Sequence, residues 1–269
     1  MNYTLNIRGR LMDLARPRVM GILNVTPDSF YDQSRTPTEE QVAARAHQIV
    51  DQGGDIIDIG ACSTRPGSTP VGEAEEAARL RMALGVVRRQ LPDAVVSVDT
   101  FRPAVARMVV EELGADIIND VGGGSDDMLQ TVAQMGVPYV LMAAQPTLRD
   151  TLLFLADRVQ RLRDLGQKDI IVDPGFGFGK TVEQNFSLLA QLERLLVMEL
   201  PVLVGVSRKS MIYKTLECTP AEALNGTTVL NTVALGKGAS ILRVHDVKEA
   251  VECCRLIHNS QLTIHNSQF

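Results

Sequence analysis

Short apolar runs rich in branched residues recur along the chain, and between them apolar positions fall three and four apart. The runs are 19–24, 55–60, 94–99, 116–120, 138–142, 170–173, 202–207 and 240–245. Being apolar at consecutive positions, they read as strands buried on both faces, the usual pattern of parallel sheets. The intervening segments carry helix-end signals. Thr38-x-x-Gln41 is a capping box ahead of a face made of Val42, Ala46, Ile49 and Val50, with Gly53-Gly54 as the stop. Pro103 opens a helix that Gly114 closes, and Thr181-x-x-Gln184, Thr219-Pro220-Ala221-Glu222 and Asp246-x-x-Glu249 announce three more. About eight strand–helix units of roughly 20–40 residues predict an α/β fold, a (β/α)8 TIM barrel in a single domain over residues 1–257. Residues 3–14 alternate around Gly9 and predict a short N-terminal β-hairpin that plugs one end. A doubly wound open sheet is the alternative, and it would ask for fewer units or a longer chain. Beyond the domain, I-H-N-S-Q stands at 257–261 and again at 264–268, so 258–269 reads as a duplicated, frayed tail in which His258 and His265 are not expected to bind metal.

The last residues of the runs break the apolar pattern. They are Asn24, Asp58, Asp99, Asn119 with Asp120, Asp173, Ser207-Arg208-Lys209, and Arg243 with His245; only the fifth run, V-L-M-A-A, ends apolar. In a barrel such residues converge on one mouth, at the carboxyl ends of the strands. Carboxylates and amides beside a lysine suit a flat heterocycle that donates and accepts along its edge. Arginine, histidine and hydroxyls suit an anion. Three loops add to this. Cys62-Ser63-Thr64-Arg65-Pro66-Gly67 is rich in donors and reads as an anion or substrate loop. The run from Asp173 to Thr181 resembles a phosphate loop but fails, because Pro174 stands where the first glycine of G-x-x-x-x-G-K-[ST] belongs. Ser207-Arg208-Lys209-Ser210 leaves a strand and enters a helix, so Ser210 and nearby N–H groups can receive a carboxylate.

Bulk properties narrow the choice. A net charge of −5 argues against a nucleic-acid or membrane surface. No signal pattern opens the chain, and no run approaches the ~20 apolar residues of a membrane span. The four cysteines (Cys62, Cys218, Cys253, Cys254) show no C-x-x-C and no metal spacing, so a reduced, soluble, cytoplasmic protein is expected.

Taken in order, M-G-I-L-N-V-T-P-D-S-F, G-A-C-S-T-R-P-G-S, S-V-D-T, I-I-N-D, D-P-G-F-G-F-G-K-T, G-V-S-R-K-S and R-V-H-D-V make the chain resemble the dihydropteroate synthases from Arg16 to about Ile257. The resemblance implies an enzyme of folate synthesis that joins 6-hydroxymethyl-7,8-dihydropterin diphosphate to 4-aminobenzoate. It implies that Asp99, Asn119, Asp173 and Lys209 grip the pterin edge. Asn24 would meet a Mg²⁺ that accompanies the diphosphate, with Thr64, Arg65, Arg243 and His245 around the anion. Phe30, Pro66 and Ser210 would border the aminobenzoate. Asp99, Asp173, Lys209, Arg65 and His245 are the expected catalytic set. The loops suggest ordered binding, in which the diphosphate substrate completes the aminobenzoate site. An outer helix near 221–235, with small and apolar residues all round, could serve a homodimer. Two departures stand out: Met142-Ala143-Ala144-Gln145-Pro146 replaces the H-M-x-G usual in the family, with a shorter segment after it, and Tyr31-Asp32-Gln33-Ser34 replaces S-D-G-G. The competing readings are a pterin-binding methyltransferase domain, which would not need S-T-R-P-G or S-R-K-S, and a non-catalytic pterin-binding paralogue.

Overall fold

A computed structural model describes residues 3–26, 37–62 and 71–266 of the chain, with side chains to Ser260. Strands β1 (Thr4–Ile7) and β2 (Arg10–Asp13) pair antiparallel as the expected hairpin. The barrel strands follow: β3 (Arg18–Asn24), β4 (Ile56–Gly60), β5 (Val95–Asp99), β6 (Ile117–Asp120), β7 (Tyr139–Met142), β8 (Ile170–Asp173), β9 (Leu203–Val204) and β10 (Ile241–Val244). All pair in parallel, in the order β8-β7-β6-β5-β4-β3-β10-β9. A bridge between Val172 and Val202, with Val172 N–H on Pro201 O at 3.0 Å, joins the two ends of that order into a ring. The (β/α)8 barrel expected from the spacing is therefore present. Strand β9 is shorter than the run 202–207: beyond Gly205 the chain bends into a turn in which Arg208 has φ +54°.

The helices are α1 (Glu39–Asp51), α2 (Glu73–Gln90), α3 (Pro103–Glu111), α4 (Asp126–Met135), α5 (Leu148–Asp164), α6 (Val182–Ala190), α7 (Ser210–Tyr213), α8 (Leu224–Gly236) and α9 (Val247–Asn266). The Thr38/Gln41 and Thr181/Gln184 capping boxes both form. Thr219 caps a 3-10 turn, Pro220–Glu222, that leads into α8. Asp246, expected to cap the last helix, gives both carboxylate oxygens to Arg208 instead, each at 2.9 Å. On α1, Val42, Ala46 and Ile49 are buried but Val50 is 39% exposed. Eight positions after Val42, it lies about 80° round the helix from that residue and falls off the buried stripe. Helix α9 carries regular backbone to Asn266, through most of the segment read as a tail. No helix among the described residues is long and apolar enough to cross a membrane.

Two apolar layers follow from strand parity. Val19, Ile57, Val98, Ile118, Leu141, Val172 and Leu242 point outward into one core with the helices. Met20, Ile56, Ile117, Val140, Ile171, Leu203 and Ile241 point inward near the amino ends and cluster with Leu5, Ile7 and Leu14 of the hairpin. Arg8 holds the hairpin there, on Asp116 at 2.8 Å and on Ala94 O at 3.1 Å. With one end of the barrel closed by apolar side chains, the inward positions nearer the carboxyl ends are left for chemistry.

Candidate active site

The inward residues at the carboxyl ends form a polar wall in strand register. Asn24 lies beside Gly60, Gly60 beside Asp99, and Asp99 beside Asn119; one layer deeper, Asp58 lies beside Ser97. Gly60 permits this row, since a Cβ there would sit 3.0 Å from Asn24 Oδ1 and 3.6 Å from Asp99 Cβ. Across the barrel stand Asp173 at the end of β8 and Arg243 in β10, with Lys209 entering from the turn before α7.

An ion cluster spans this interior. Arg243 donates from Nε to Asp58 Oδ2 at 2.7 Å and from Nη2 to Asp99 Oδ2 at 2.8 Å. Asn119 Nδ2 donates to the same Asp58 oxygen at 3.2 Å. Asp58 is fully buried. Burial pushes the Asp99 carboxyl up to about 7; Arg243 and Lys209 oppose this, and Asp58 and Asp120 add to it. Burial works against the charge of Arg243, but Asp58 and Asp99 more than offset it and hold its pKa above the usual value. Three buried atoms, Asp58 Oδ1, Ser97 Oγ and Asn119 Oδ1, have no hydrogen-bond partner among the described residues. An unpaired buried acceptor costs about 1–3 kcal/mol, so the interior favours a ligand with donors on its edge.

Lys209 places its Nζ on Phe176 O and 4.7 Å from the centroid of the Phe178 ring. Burial brings its pKa down to about 8, against the pull of Asp173. Asp173 accepts Gly175 N–H on Oδ1 at 2.7 Å, and burial raises its pKa while Lys209 opposes the rise. His245 follows β10, its carbonyl held by Arg45 Nη2 at 2.6 Å and its Nδ1 3.1 Å from Ser207 Oγ.

The structure thus brings Asn24, Asp99, Asn119, Asp173, Lys209, Arg243 and His245 to one end of the barrel, and Ser210 opens α7 directly after Lys209. Phe30, Thr64, Arg65 and Pro66, like the altered loop at 31–34, lie outside the described residues. Two strand-end residues do not join the mouth. Asp120 faces outward, accepting Tyr139 Oη–H at 2.6 Å and the N–H groups of Gly122 and Gly124, because Asn119 before it takes the inward position. Arg208 turns to Asp246 and to the carbonyls of Pro220 and Ala221. Neither Ser97 nor Lys180 stands out in the sequence as a site residue, and Asp58 reads there only as a strand end. The signal available for Asp58 and Ser97 was a polar residue two before the end of an apolar run.

Residues 20–245 match the pterin binding enzyme family. The chain is similar to the dihydropteroate synthase of Escherichia coli K12, 37% identical over 97% of this chain and 98% of that one. Among solved structures it is similar to the Yersinia pestis dihydropteroate synthase in a sulfonamide drug complex, with a TM-score of 0.90, 36% identity, and coverage of 97% and 100% of the two chains. It is also similar to the Xanthomonas albilineans dihydropteroate synthase with 4-aminobenzoic acid, with a TM-score of 0.89, 38% identity, and coverage of 97% and 99%.

Proposed function

The chain belongs to the dihydropteroate synthases of the pterin binding enzyme family, and from that premise we infer its reaction and the part each side chain takes in it. It is a transferase of folate biosynthesis that condenses 6-hydroxymethyl-7,8-dihydropterin diphosphate with 4-aminobenzoate to give 7,8-dihydropteroate and diphosphate. The observation that carries the residue roles is the group of unpartnered buried atoms, Asp58 Oδ1, Ser97 Oγ and Asn119 Oδ1, beside Asp99 and facing the barrel interior that Asp173 enters from β8. Such a wall matches the amino and ring N–H donors along a pterin edge. Asp99, Asn119 and Asp173 take those donors, and Lys209 turns from Phe176 O to an acceptor of the ring.

An aromatic amine is a weak nucleophile, so the pterin carbon must be made strongly electrophilic. The bond from the pterin methylene to the diphosphate oxygen breaks, and its electron pair leaves with the diphosphate. The buried carboxylates of Asp99 and Asp173 stabilise the positive charge that develops on the pterin; one preorganised contact of this kind is worth about 3–4 kcal/mol. The amine nitrogen then forms the new bond to carbon and gives up one proton to solvent water. Arg243 and His245, with Thr64 and Arg65 as the resemblance assigns them, receive the departing anion. Ser210, with Phe30 and Pro66, borders the aminobenzoate.

Asn24 suits a Mg²⁺ contact. It offers a neutral oxygen at the end of β3, and the described residues contain no group of three or more His, Cys, Asp or Glu able to hold a metal. Asn24 would hold the metal together with the diphosphate oxygens of the substrate. When bound, the metal supplies charge neutralisation on the leaving group. Diphosphate release is expected only when pterin diphosphate, 4-aminobenzoate and Mg²⁺ are all present. Absence of release would favour the non-catalytic paralogue, and tight Mg²⁺ binding to the ligand-free protein in calorimetry would overturn the placement on the substrate.

The second copy of a homodimer packs on α8, where Val229 and Val233 are 51% and 38% exposed. Sedimentation at twice the 29.3 kDa chain mass checks this. The four cysteines are unbridged, which fits a cytoplasmic setting.

A further inference from the structure

The loop after β8 ends in Gly179-Lys180-Thr181, a sequence that imitates a phosphate loop, yet Lys180 is used differently. Its Nζ donates to three backbone carbonyls, Gly175 O at 2.9 Å, Ala143 O at 3.2 Å and Phe178 O at 3.4 Å. An ammonium has three protons, so its donors are all engaged. Two of the carbonyls belong to its own loop and the third to the residue after β7, so one side chain ties together the ends of neighbouring strands. The junction is close. Gly175 has φ +68°, and a Cβ there would lie 2.3 Å from Ala143 O, so only glycine fits. The N–H of that same glycine donates to Asp173 Oδ1 at 2.7 Å. Gly175 is therefore held through its carbonyl by Lys180 and through its N–H by Asp173.

We propose that Lys180 is a positioning residue for the pterin-binding carboxylate Asp173, to which it is coupled through Gly175 and Ala143. This rests on the pterin reading given above. The two lysines near Asp173 divide the work: Lys209 is the cation available to a ligand, while Lys180 fixes the loop. The family's H-M-x-G is replaced here by Met142-Ala143-Ala144-Gln145, and the contact with Ala143 is made to its backbone, so it does not depend on the side chain at that position. Electrostatics points the same way. Asp173 is raised by burial and lowered by Lys209 from the turn before α7, by Arg243 from β10 and by Lys180 from its own loop. Lys180 itself is brought down to about 8 by burial, with Asp173 opposing. Removing its charge raises the Asp173 pKa further, so on acidification the ionised carboxylate is lost at a higher pH than in the parent.

The test compares the full-length parent with Lys180→Met, Lys180→Gln and Lys180→Arg. Both neutral variants should raise the KM for pterin diphosphate, and weaken equilibrium pterin binding, by on the order of tenfold or more. The KM for 4-aminobenzoate should stay unchanged. The acid limb of pterin binding should move to higher pH in both neutral variants and stay in place with arginine. Unchanged pterin affinity overturns the proposal, as does an equal rise in both KM values, which would mark general loosening. Failure of both neutral variants to fold would assign Lys180 to barrel stability and overturn it too. Turnover by the parent tests the functional reading, whereas pterin binding by the variants tests Lys180 whether or not turnover occurs.

Discussion

Asp173→Asn is expected to lower affinity for a pterin about 10- to 100-fold, with the fold intact. Asp173 is buried at the end of β8, with one oxygen on Gly175 N–H at 2.7 Å and the other available to the ligand. A hydrogen bond to a charged group is worth about 1.5–3 kcal/mol, which sets the range. The amide is nearly the same size, so packing is preserved. It nevertheless directs either an uncharged oxygen or a clashing NH2 at the pterin donors. It also removes the charge that opposes the loss of the Lys209 proton, so Lys209, already brought down to about 8 by burial, falls further. The expected signature is a pterin KM that rises steeply, with the loss greatest just below pH about 8, where Lys209 has given up its proton in the variant but keeps it in the parent. Isothermal titration with 6-hydroxymethylpterin is the direct measurement. If Asp173→Asn binds this ligand as tightly as the parent does, Asp173 is wrongly assigned.

How much of this site can be read from sequence depends on what a buried strand reveals. A polar residue at the end of an apolar run is conspicuous, and Asn24, Asp99, Asn119, Asp173 and Arg243 stand out in that way. Which side of the sheet a residue faces is not conspicuous when both faces are apolar. Ile118, Asn119 and Asp120 alternate outward, inward and outward, yet nothing in I-I-N-D says which isoleucine lines the barrel. For that reason the sequence alone gives Asp120 the same standing as Asn119. Arg208 and Lys209 lie in a turn with no periodicity at all, and only the fold shows that the first reaches Asp246 and the second faces the interior. The Arg243–Asp58 pair joins positions 185 apart, a partnership that spacing cannot suggest. Lys180 is concealed in another way. Its G-K-T context invites a phosphate, and its actual partners are carbonyls, which have no sequence signature.

Arg243→Met is expected to have the largest effect on stability, a loss of about 3–5 kcal/mol at neutral to alkaline pH. Arg243 is the shared partner of Asp58 and Asp99, at 2.7 Å and 2.8 Å, and neither carboxylate is open to water, with side-chain exposures of 0% and 13%. Methionine fills much of the same volume but leaves two neighbouring buried negative charges without their cation. The strain on Asp99 can be relieved by taking up a proton, which gives the effect its pH dependence. In the parent, burial already places Asp99 at about 7 against an ordinary value of 3.8, and Arg243 is the strongest influence holding it down. A folded carboxyl with a raised pKa binds more protons than the unfolded chain does, so its contribution to stability falls as pH rises through this interval and is restored as pH falls. Without Arg243 the folded value rises further and the interval extends upward. Urea unfolding should therefore show a large deficit near about pH 9 and a much smaller one near about pH 5. Asp58→Asn added to Arg243→Met should recover part of the alkaline deficit, because one of the two stranded charges is gone. A deficit equal at both pH values, or one unaffected by Asp58→Asn, would mean that Arg243 stabilises the barrel by packing alone and that the Asp58–Arg243–Asp99 cluster carries no net electrostatic weight.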